Sequence, residues 1–85
     1  MKKVFVYIVE CADGSLYTGW TTNVEDRVKT HNSGEGAKYT RSRLPVKLVY
    51  FEELEDRSAA LKREAAIKKL TRRKKELLIS RNKND

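Results

Sequence analysis

Five side chains in this sequence have the chemistry expected of a reactive site: Tyr7, Tyr17, Arg27, His31 and Glu64. Phenols and imidazoles can accept or pass on protons, and a guanidinium can hold the oxygens of an anion in a fork of hydrogen bonds. A carboxylate can bind a metal ion. These abilities combine only if the fold brings distant parts of the chain to one surface.

The two tyrosines lie on either side of an Asp-Gly pair, between β-branched and aromatic runs that predict a β-hairpin. A two-residue turn would pair Tyr7 with Trp20 and put the phenols on opposite faces of the sheet. A three-residue loop, with Gly14 left-handed in a bulge, pairs Tyr7 with Gly19 and puts both phenols on one face. We predict the second register, in which Gly19 leaves a gap beside Tyr7.

Arg27 and His31 are four residues apart in a predicted helix over 24–31, so their side chains share one face of it. Asn23 is a suitable N-cap for this helix, and Gly34 follows its predicted end. His31 could relay a proton at a reactive site. The simpler interpretation is a surface histidine near the end of a helix.

Glu64 falls within the apolar arc of a predicted helix over 58–70, where an unpaired carboxylate is costly. An internal salt bridge to Arg27, Arg57 or Lys68 would neutralise it. A bound metal ion would do the same. The sequence leaves both explanations open.

The hydrophobic pattern predicts one α+β domain over residues 1–80 and a frayed polar tail over 81–85. The third strand carries apolar residues on both faces, so we expect it to be the central strand of the sheet. The polar loop over 34–43 contains Gly34 and Gly36, which are predicted to be turn residues. The predicted strands cover 4–11, 15–20 and 46–54, and the predicted helices cover 24–31, 58–70 and 71–79.

The positive charge is concentrated at one end of the chain. Residues 1–55 contain eight Lys or Arg and eight Asp or Glu, whereas residues 56–85 contain eleven and four, so the second segment carries the whole net charge of +7. Such a segment attracts a polyanion, of which nucleic acid is the commonest, or simply keeps a helix solvated. The candidate nucleic-acid contacts are Lys38, Tyr39, Arg41, Arg43, Lys68, Arg72, Arg73, Lys74 and Lys75.

The composition and length of the chain indicate its cellular compartment and limit the size of its fold. Cys11 is the one cysteine, so an internal disulfide is excluded and a reducing compartment is indicated. We find no apolar run long enough for a signal peptide or a membrane span, and we expect a cytoplasmic protein that does not bind membranes. An 85-residue chain has room for one sheet and a layer of helix.

The motifs resemble those of the GIY-YIG nuclease superfamily over about residues 4–78. Val6-Tyr7-Ile8 stands at the GIY position, Tyr17-Thr18-Gly19 at the YIG position, Arg27 at the helix arginine and Glu64 at the metal-binding glutamate. The likeness is strongest to the small stand-alone bacterial branch. The run from Arg27 to Asn32 is also similar to that of the branched-DNA-cleaving Slx-type relatives.

This resemblance implies a three-stranded antiparallel sheet flanked by helices in the order β-β-α-β-α-α. It implies hydrolysis of DNA phosphodiesters, in repair or recombination, with a single Mg²⁺ or Mn²⁺ ion on Glu64. Tyr17 is the implied base, Tyr7 holds the attacking water or the phosphate, and Arg27 compensates the phosphate charge. The sequence departs from the family in its Val-Tyr-Ile motif and in lacking a convincing match, Asn82 included, for an asparagine that often follows the second helix.

Two other functions are compatible with the sequence. One is a nucleic-acid-binding module that has the fold without turnover, acting on single-stranded or branched DNA. The other is a small subunit whose protein partner supplies specificity, because so short a chain has little surface for reading sequence. The oligomeric state is left open.

Overall fold

A computed structural model of the protein describes the backbone of residues 3–83 and the side chains as far as Arg81. The elements are β1 (Val4–Glu10), β2 (Leu16–Thr21), α1 (Val24–Asn32), α2 (Lys38–Arg41), β3 (Lys47–Leu54), α3 (Arg57–Lys68) and α4 (Arg72–Lys83). The predicted α+β order is confirmed, with one short helix, α2, added inside the segment predicted to be a polar loop. Among the described residues, no helix is long and apolar enough to cross a membrane.

The sheet is antiparallel with the strand order β2-β1-β3, so β1 is the central strand. The prediction that the third strand is central is therefore wrong. β1 is buried on both faces, whereas β3 exposes Lys47, Leu48 and Phe51 along an edge. Apolar residues on both faces of β3 misled the prediction, because an edge strand can also carry exposed apolar side chains.

The hairpin between β1 and β2 has the predicted three-residue register. Tyr7 pairs with Gly19, and Val9 pairs with Tyr17. Gly14 has φ +84°, a left-handed conformation that favours glycine, and its N–H donates to the Cys11 carbonyl over 2.9 Å. Both phenols consequently lie on one face of the sheet.

The sheet separates two hydrophobic clusters. One face packs Val6, Ile8 and Tyr50 against Ala60 and Ile67 of α3. The other face packs Tyr7, Val9, Cys11 and Val46, with Val28 of α1 covering them. The tyrosine face is thus covered by α1, while α3 packs on the opposite cluster and along β1 and β2.

Capping residues position the two long helices that carry candidate site residues. The Asn23 side chain accepts a hydrogen bond from the Asp26 N–H (3.0 Å), and Asp56 accepts one from the Ala59 N–H (2.8 Å). At the other end of α1, the amide group of Asn32 bonds to both the N–H and the carbonyl of Val46, which ties this helix to the start of β3.

The final helix is longer than predicted. α4 continues past Ile79 to Lys83, and so through part of the segment expected to fray. The sequence 80–83 contains neither glycine nor proline, so nothing in it ends the helix earlier. Residues 84 and 85, and the side chain of Asn82, lie outside the described residues.

Candidate active site

The Tyr7 phenol lies across β2 at Gly19 and reaches His31 of α1. A Cβ atom at Gly19 would lie 2.6 Å from the Tyr7 hydroxyl oxygen, so the gap predicted beside Tyr7 is filled by the phenol itself. The Tyr7 hydroxyl is 2.8 Å from Nε2 of His31. Both residues are buried, with exposed fractions of 1% and 0%. The alternative interpretation of His31 as a surface histidine is therefore wrong.

Tyr17 completes an aromatic group around this hydrogen bond. Its ring meets the His31 ring edge-on at a centroid distance of 5.5 Å. Tyr39 of α2 stacks against Tyr17 at 6.0 Å, and the Arg43 guanidinium covers the Tyr39 ring at 3.9 Å. The Tyr39 ring packs between Tyr17 and Arg43 and remains 39% exposed, so its contact with nucleic acid stays a prediction.

Arg27 is exposed, and its positive charge affects the pKa values of the two buried residues, Tyr7 and His31. Burial lowers the pKa of His31 below its ordinary value, and the positive charge of Arg27 lowers it further. Burial raises the pKa of Tyr7 to about 12, with Tyr17 and Glu64 acting in the same direction and Arg27 opposing them. At neutral pH the phenol and the imidazole are therefore both uncharged.

Glu64 approaches the tyrosines from α3. Its side chain is 17% exposed, and its Oε2 lies 3.2 Å from Nζ of Lys68, one helical turn further on. The Lys68 ammonium is also 6.0 Å from the centre of the Tyr17 ring. The salt bridge that the sequence offered as one explanation for Glu64 is present. It is partly exposed, so the carboxylate remains available to a ligand.

The donor groups fit a metal ion that the substrate would help to bind. No cluster of three His, Cys, Asp or Glu side chains that could enclose an ion occurs within the described part of the chain. Mg²⁺ is commonly held by one or two carboxylates together with waters and substrate phosphates. Glu64 provides one such carboxylate beside Tyr7, with Lys68 as its resting counter-charge.

The predicted nucleic-acid contacts divide into exposed side chains and side chains with a structural role. Arg43 donates from Nε to Asp13 (3.1 Å) and from its terminal nitrogen to the Tyr39 carbonyl (2.7 Å). Arg72 donates to the Gly14 carbonyl (2.7 Å) and pairs with Glu76. These two arginines fasten the hairpin turn to the loop before β3 and to α4. The exposed group contains Lys38, Arg41, Lys68, Arg73 and Lys74, with Lys75 half-buried. Tyr39 and Arg72 belong to both groups, because they are exposed as well.

Sequence reasoning missed two residues that enclose His31. Oγ1 of Thr40 lies 2.9 Å from Nδ1 of the imidazole, and Thr40 is fully buried. A Cβ atom at Gly36 would lie 2.3 Å from the same nitrogen and 2.9 Å from the His31 Cα. Gly36 was predicted to be a turn glycine, but the structure requires it for this close approach. The sequence alone carried no signal for either residue, because a partner at each ring nitrogen is needed only once His31 is known to be buried.

The sequence model of the GIY-YIG catalytic domain matches residues 3–77 of the chain. A UPF0213 protein of Haloquadratum walsbyi is 66% identical over 74 residues, which cover 87% of this chain and 83% of that protein. A UPF0213 protein of Clostridium perfringens is 63% identical over 76 residues, which cover 89% of this chain and 82% of that protein.

Two solution NMR structures share the fold. The UPF0213 protein BH0048 from Bacillus halodurans has a TM-score of 0.60 at 51% identity, with 92% of this chain and 83% of that chain covered. The protein EF2693 from E. faecalis has a TM-score of 0.66 at 46% identity, with 100% and 91% covered.

The family match and the shared fold indicate a nuclease-type domain, and membership of this family implies a nucleic-acid substrate. The chain belongs to the GIY-YIG catalytic domain family, and its relatives in that family include small UPF0213 proteins that align with most of its length.

Proposed function

We propose that the protein is a metal-dependent DNA endonuclease that hydrolyses phosphodiester bonds at the surface that contains Arg27 and Glu64 and adjoins the buried pair of Tyr7 and His31. The observation that carries the proposal is the hydrogen bond between the buried Tyr7 hydroxyl and Nε2 of a neutral His31, beside an exposed guanidinium. A binding module needs an exposed cation for the phosphate, but it has no need of a buried phenol–imidazole pair next to it.

The pair supplies a route for a proton. Water attacks phosphorus and its proton passes to the Tyr7 oxygen, while the Tyr7 proton moves to Nε2 of His31. A P–O bond forms to the water oxygen, the P–O bond to the leaving sugar oxygen breaks, and the leaving oxygen takes a proton from solvent water. His31 then returns its proton to Tyr7, and the proton taken from the attacking water is released to solvent. The lowered pKa of His31 keeps the imidazole neutral before reaction, so that Nε2 can accept. This assigns the base to Tyr7 with His31, rather than to Tyr17.

Arg27 and Glu64 act on the phosphate. The guanidinium can hold two non-bridging oxygens in a fork and offset their charge. Glu64 would hold Mg²⁺ or Mn²⁺ on the same side, and the chemistry such an ion supplies is polarisation of the phosphoryl group and stabilisation of the leaving oxygen. Lys68 would then give up its salt bridge and turn to the DNA backbone. A role in repair or recombination is consistent with this chemistry.

The decisive experiment incubates the protein with end-labelled single-stranded, duplex and branched DNA, in magnesium or in chelator. Cleavage in magnesium is expected to stop with chelator and to fall about 100-fold or more in Glu64→Gln, which removes the carboxylate at constant size. The matched control is Glu55→Gln, an exposed carboxylate just before α3, which should leave cleavage unchanged. DNA binding without cleavage of any substrate would reject the endonuclease in favour of the binding module.

A further inference from the structure

Thr40 is a buried residue whose hydroxyl touches the proposed proton acceptor on the side away from Tyr7. It lies in α2, is fully buried, and its Oγ1 is 2.9 Å from Nδ1 of His31. The same oxygen is 2.9 Å from the Ala37 carbonyl oxygen. His31 is thus held at both ring nitrogens, by Tyr7 on one side and by Thr40 on the other.

The position of the proton on the Thr40 hydroxyl determines which atom donates and which accepts in each of these hydrogen bonds. A threonine hydroxyl has one proton, and a carbonyl oxygen can only accept. Two oxygens 2.9 Å apart with no proton between them would set lone pair against lone pair, so the Thr40 proton points to Ala37. Oγ1 must then accept from His31, which places the imidazole proton on Nδ1.

The proton on Nδ1 of His31 also fixes the direction of the hydrogen bond between Nε2 and Tyr7. A neutral imidazole protonated on Nδ1 has a free lone pair on Nε2. The Tyr7 hydroxyl, 2.8 Å away, must donate to it. The Tyr7 oxygen then keeps its own lone pairs as acceptors, beside the Arg27 guanidinium. With the other tautomer, the imidazole would donate to Tyr7 and could accept nothing from it.

Gly36 closes the Nδ1 side of the ring. A side chain there would collide with Nδ1 and with the His31 backbone. This close contact and the complete burial of His31 leave Thr40 as the polar partner at Nδ1. The loop after α1 therefore shapes the ring environment as well as connecting α1 to β3.

We propose that Thr40 is a positioning residue, which holds His31 in the Nδ1–H tautomer and so makes Nε2 the acceptor of the Tyr7 proton. The catalytic consequence rests on the proposed endonuclease function, but the tautomer itself does not. Thr40 touches neither the substrate nor the attacking water and acts only through His31.

The test reads the tautomer directly. His31 is the one histidine of the sequence, so a long-range ¹H–¹⁵N NMR spectrum of the labelled protein shows a single imidazole. Near neutral pH, the wild type is expected to show a protonated-type ¹⁵N shift at Nδ1 and an unprotonated-type shift at Nε2. A protonated Nε2 in the wild type would overturn the proposal without bearing on whether the protein cleaves DNA.

Two substitutions at Thr40 and one control complete the design. Thr40→Val replaces the hydroxyl by a methyl group of similar size, and the population should move towards the Nε2–H tautomer. Thr40→Ser keeps the hydroxyl and should keep the wild-type spectrum. Thr30→Val removes an exposed hydroxyl that bonds to the Asp26 carbonyl within α1, and it should change nothing at the ring. An unchanged spectrum in Thr40→Val would contradict the proposal, and if that variant does not fold, the wild-type and Thr40→Ser spectra still decide.

Cleavage kinetics distinguish a positioning role of Thr40 from a general loss of structure in the variant. In Thr40→Val, kcat is expected to fall about 100-fold while KM for DNA stays within about twofold, and Thr40→Ser should restore most of kcat. A rise in KM with unchanged kcat would mean that Thr40 shapes the DNA-binding surface instead. If the wild type cleaves no DNA, the proposed function fails, while the NMR result on the tautomer remains valid.

Discussion

Gly19 lies directly beneath the Tyr7 hydroxyl, at a place where a single added carbon would be 2.6 Å from the oxygen. The phenol is held at its far end by His31, and its ring is buried, so it has no free space into which to move. The backbone conformation of Gly19 is not left-handed. Glycine is therefore needed at this position for space rather than for its conformational freedom.

The first prediction concerns this close approach. Gly19→Ala should displace the Tyr7 hydroxyl from His31, and cleavage should fall about 100-fold. Its free energy of unfolding should drop by about 1–3 kcal/mol because of overpacking. Gly34→Ala is the matched control, since Gly34 has φ +86° and open space around its Cβ position. That variant should lose about 1–2 kcal/mol through backbone strain but keep its cleavage rate. Equal cleavage in both variants would show that the close approach has no catalytic importance.

The second prediction separates the two tyrosines. Tyr7→Phe removes the hydroxyl that donates to His31 and should lower kcat about 100-fold, with DNA affinity unchanged. Tyr17→Phe retains the ring contacts with His31 and Tyr39 and should have a smaller effect. Single-turnover cleavage and DNA binding, measured side by side, make the comparison. A larger loss in Tyr17→Phe would restore Tyr17 as the base.

The third prediction concerns pH. Because the pKa of His31 is lowered in the folded protein, the unfolded chain takes up this proton first as the pH falls. The stability that His31 contributes is thus complete above the ordinary pKa of 6.5 and is lost as the pH falls from there through the lower pKa of the folded state. An NMR titration of the histidine should give a midpoint below 6.5, and cleavage should decline over the same range.

Urea unfolding provides an independent measurement of the same effect. Unfolding followed by Trp20 fluorescence should show that the wild type loses more stability between neutral pH and about one unit below 6.5 than His31→Gln does. This difference removes the contribution of the carboxylates, which titrate in both proteins. An equal loss in the two proteins, or a titration midpoint above 6.5, would contradict a buried neutral histidine.

The fourth prediction concerns two arginines in the segment before β3. Arg41 is exposed, whereas Arg43 bonds to Asp13 and Tyr39 and covers the Tyr39 ring. Arg41→Ala should weaken DNA binding several-fold with no change in Tm. Arg43→Ala should lower Tm by several degrees, because the hairpin turn loses its attachment. Thermal unfolding and DNA titrations of both variants check this, and the reverse pattern would show that Arg43 binds the phosphate.

The fifth prediction concerns the basic face of α4. Arg73 and Lys74 are exposed, so replacing both with glutamine should weaken binding to every DNA tested. The slope of log affinity against log salt should become shallower by about 0.7–0.9 for each phosphate that the variant no longer neutralises. Replacing Lys62 of α3 and Lys69 at its C-cap, two exposed lysines, with glutamine removes the same net charge and is the matched control. An unchanged slope in the α4 variant would mean that this face is only solvated.

The position of the hairpin was predictable because it depends on residues that are close together in the sequence. The Asp-Gly pair locates the turn but is compatible with either loop length. The three-residue loop was predicted because it puts both phenols on one face with Gly19 beside Tyr7, and the structure has this register. The start of α1 was predictable for the same local reason, since Asn23 acts on an N–H group three residues away. The boundaries of the strands differ from the predictions by one residue at most at each end.

Features that depend on distant parts of the chain were not predictable. β1 rather than β3 occupies the centre of the sheet because β3 pairs with β1, a strand about forty residues earlier in the sequence, and not with β2. Thr40 and Gly36 resemble ordinary loop residues until His31 is known to be buried against them. Arg43 and Arg72 resemble other surface cations until the hairpin turn supplies their acceptors.

The bond from Arg72 to the Gly14 carbonyl joins residues that are 58 positions apart. It links the turn of the first hairpin to the beginning of the last helix. Arg43 holds the same turn through Asp13, 30 positions away. The turn that aligns the two phenols is therefore attached to two distant segments, and it reaches its final form only after long-range contacts have formed during folding.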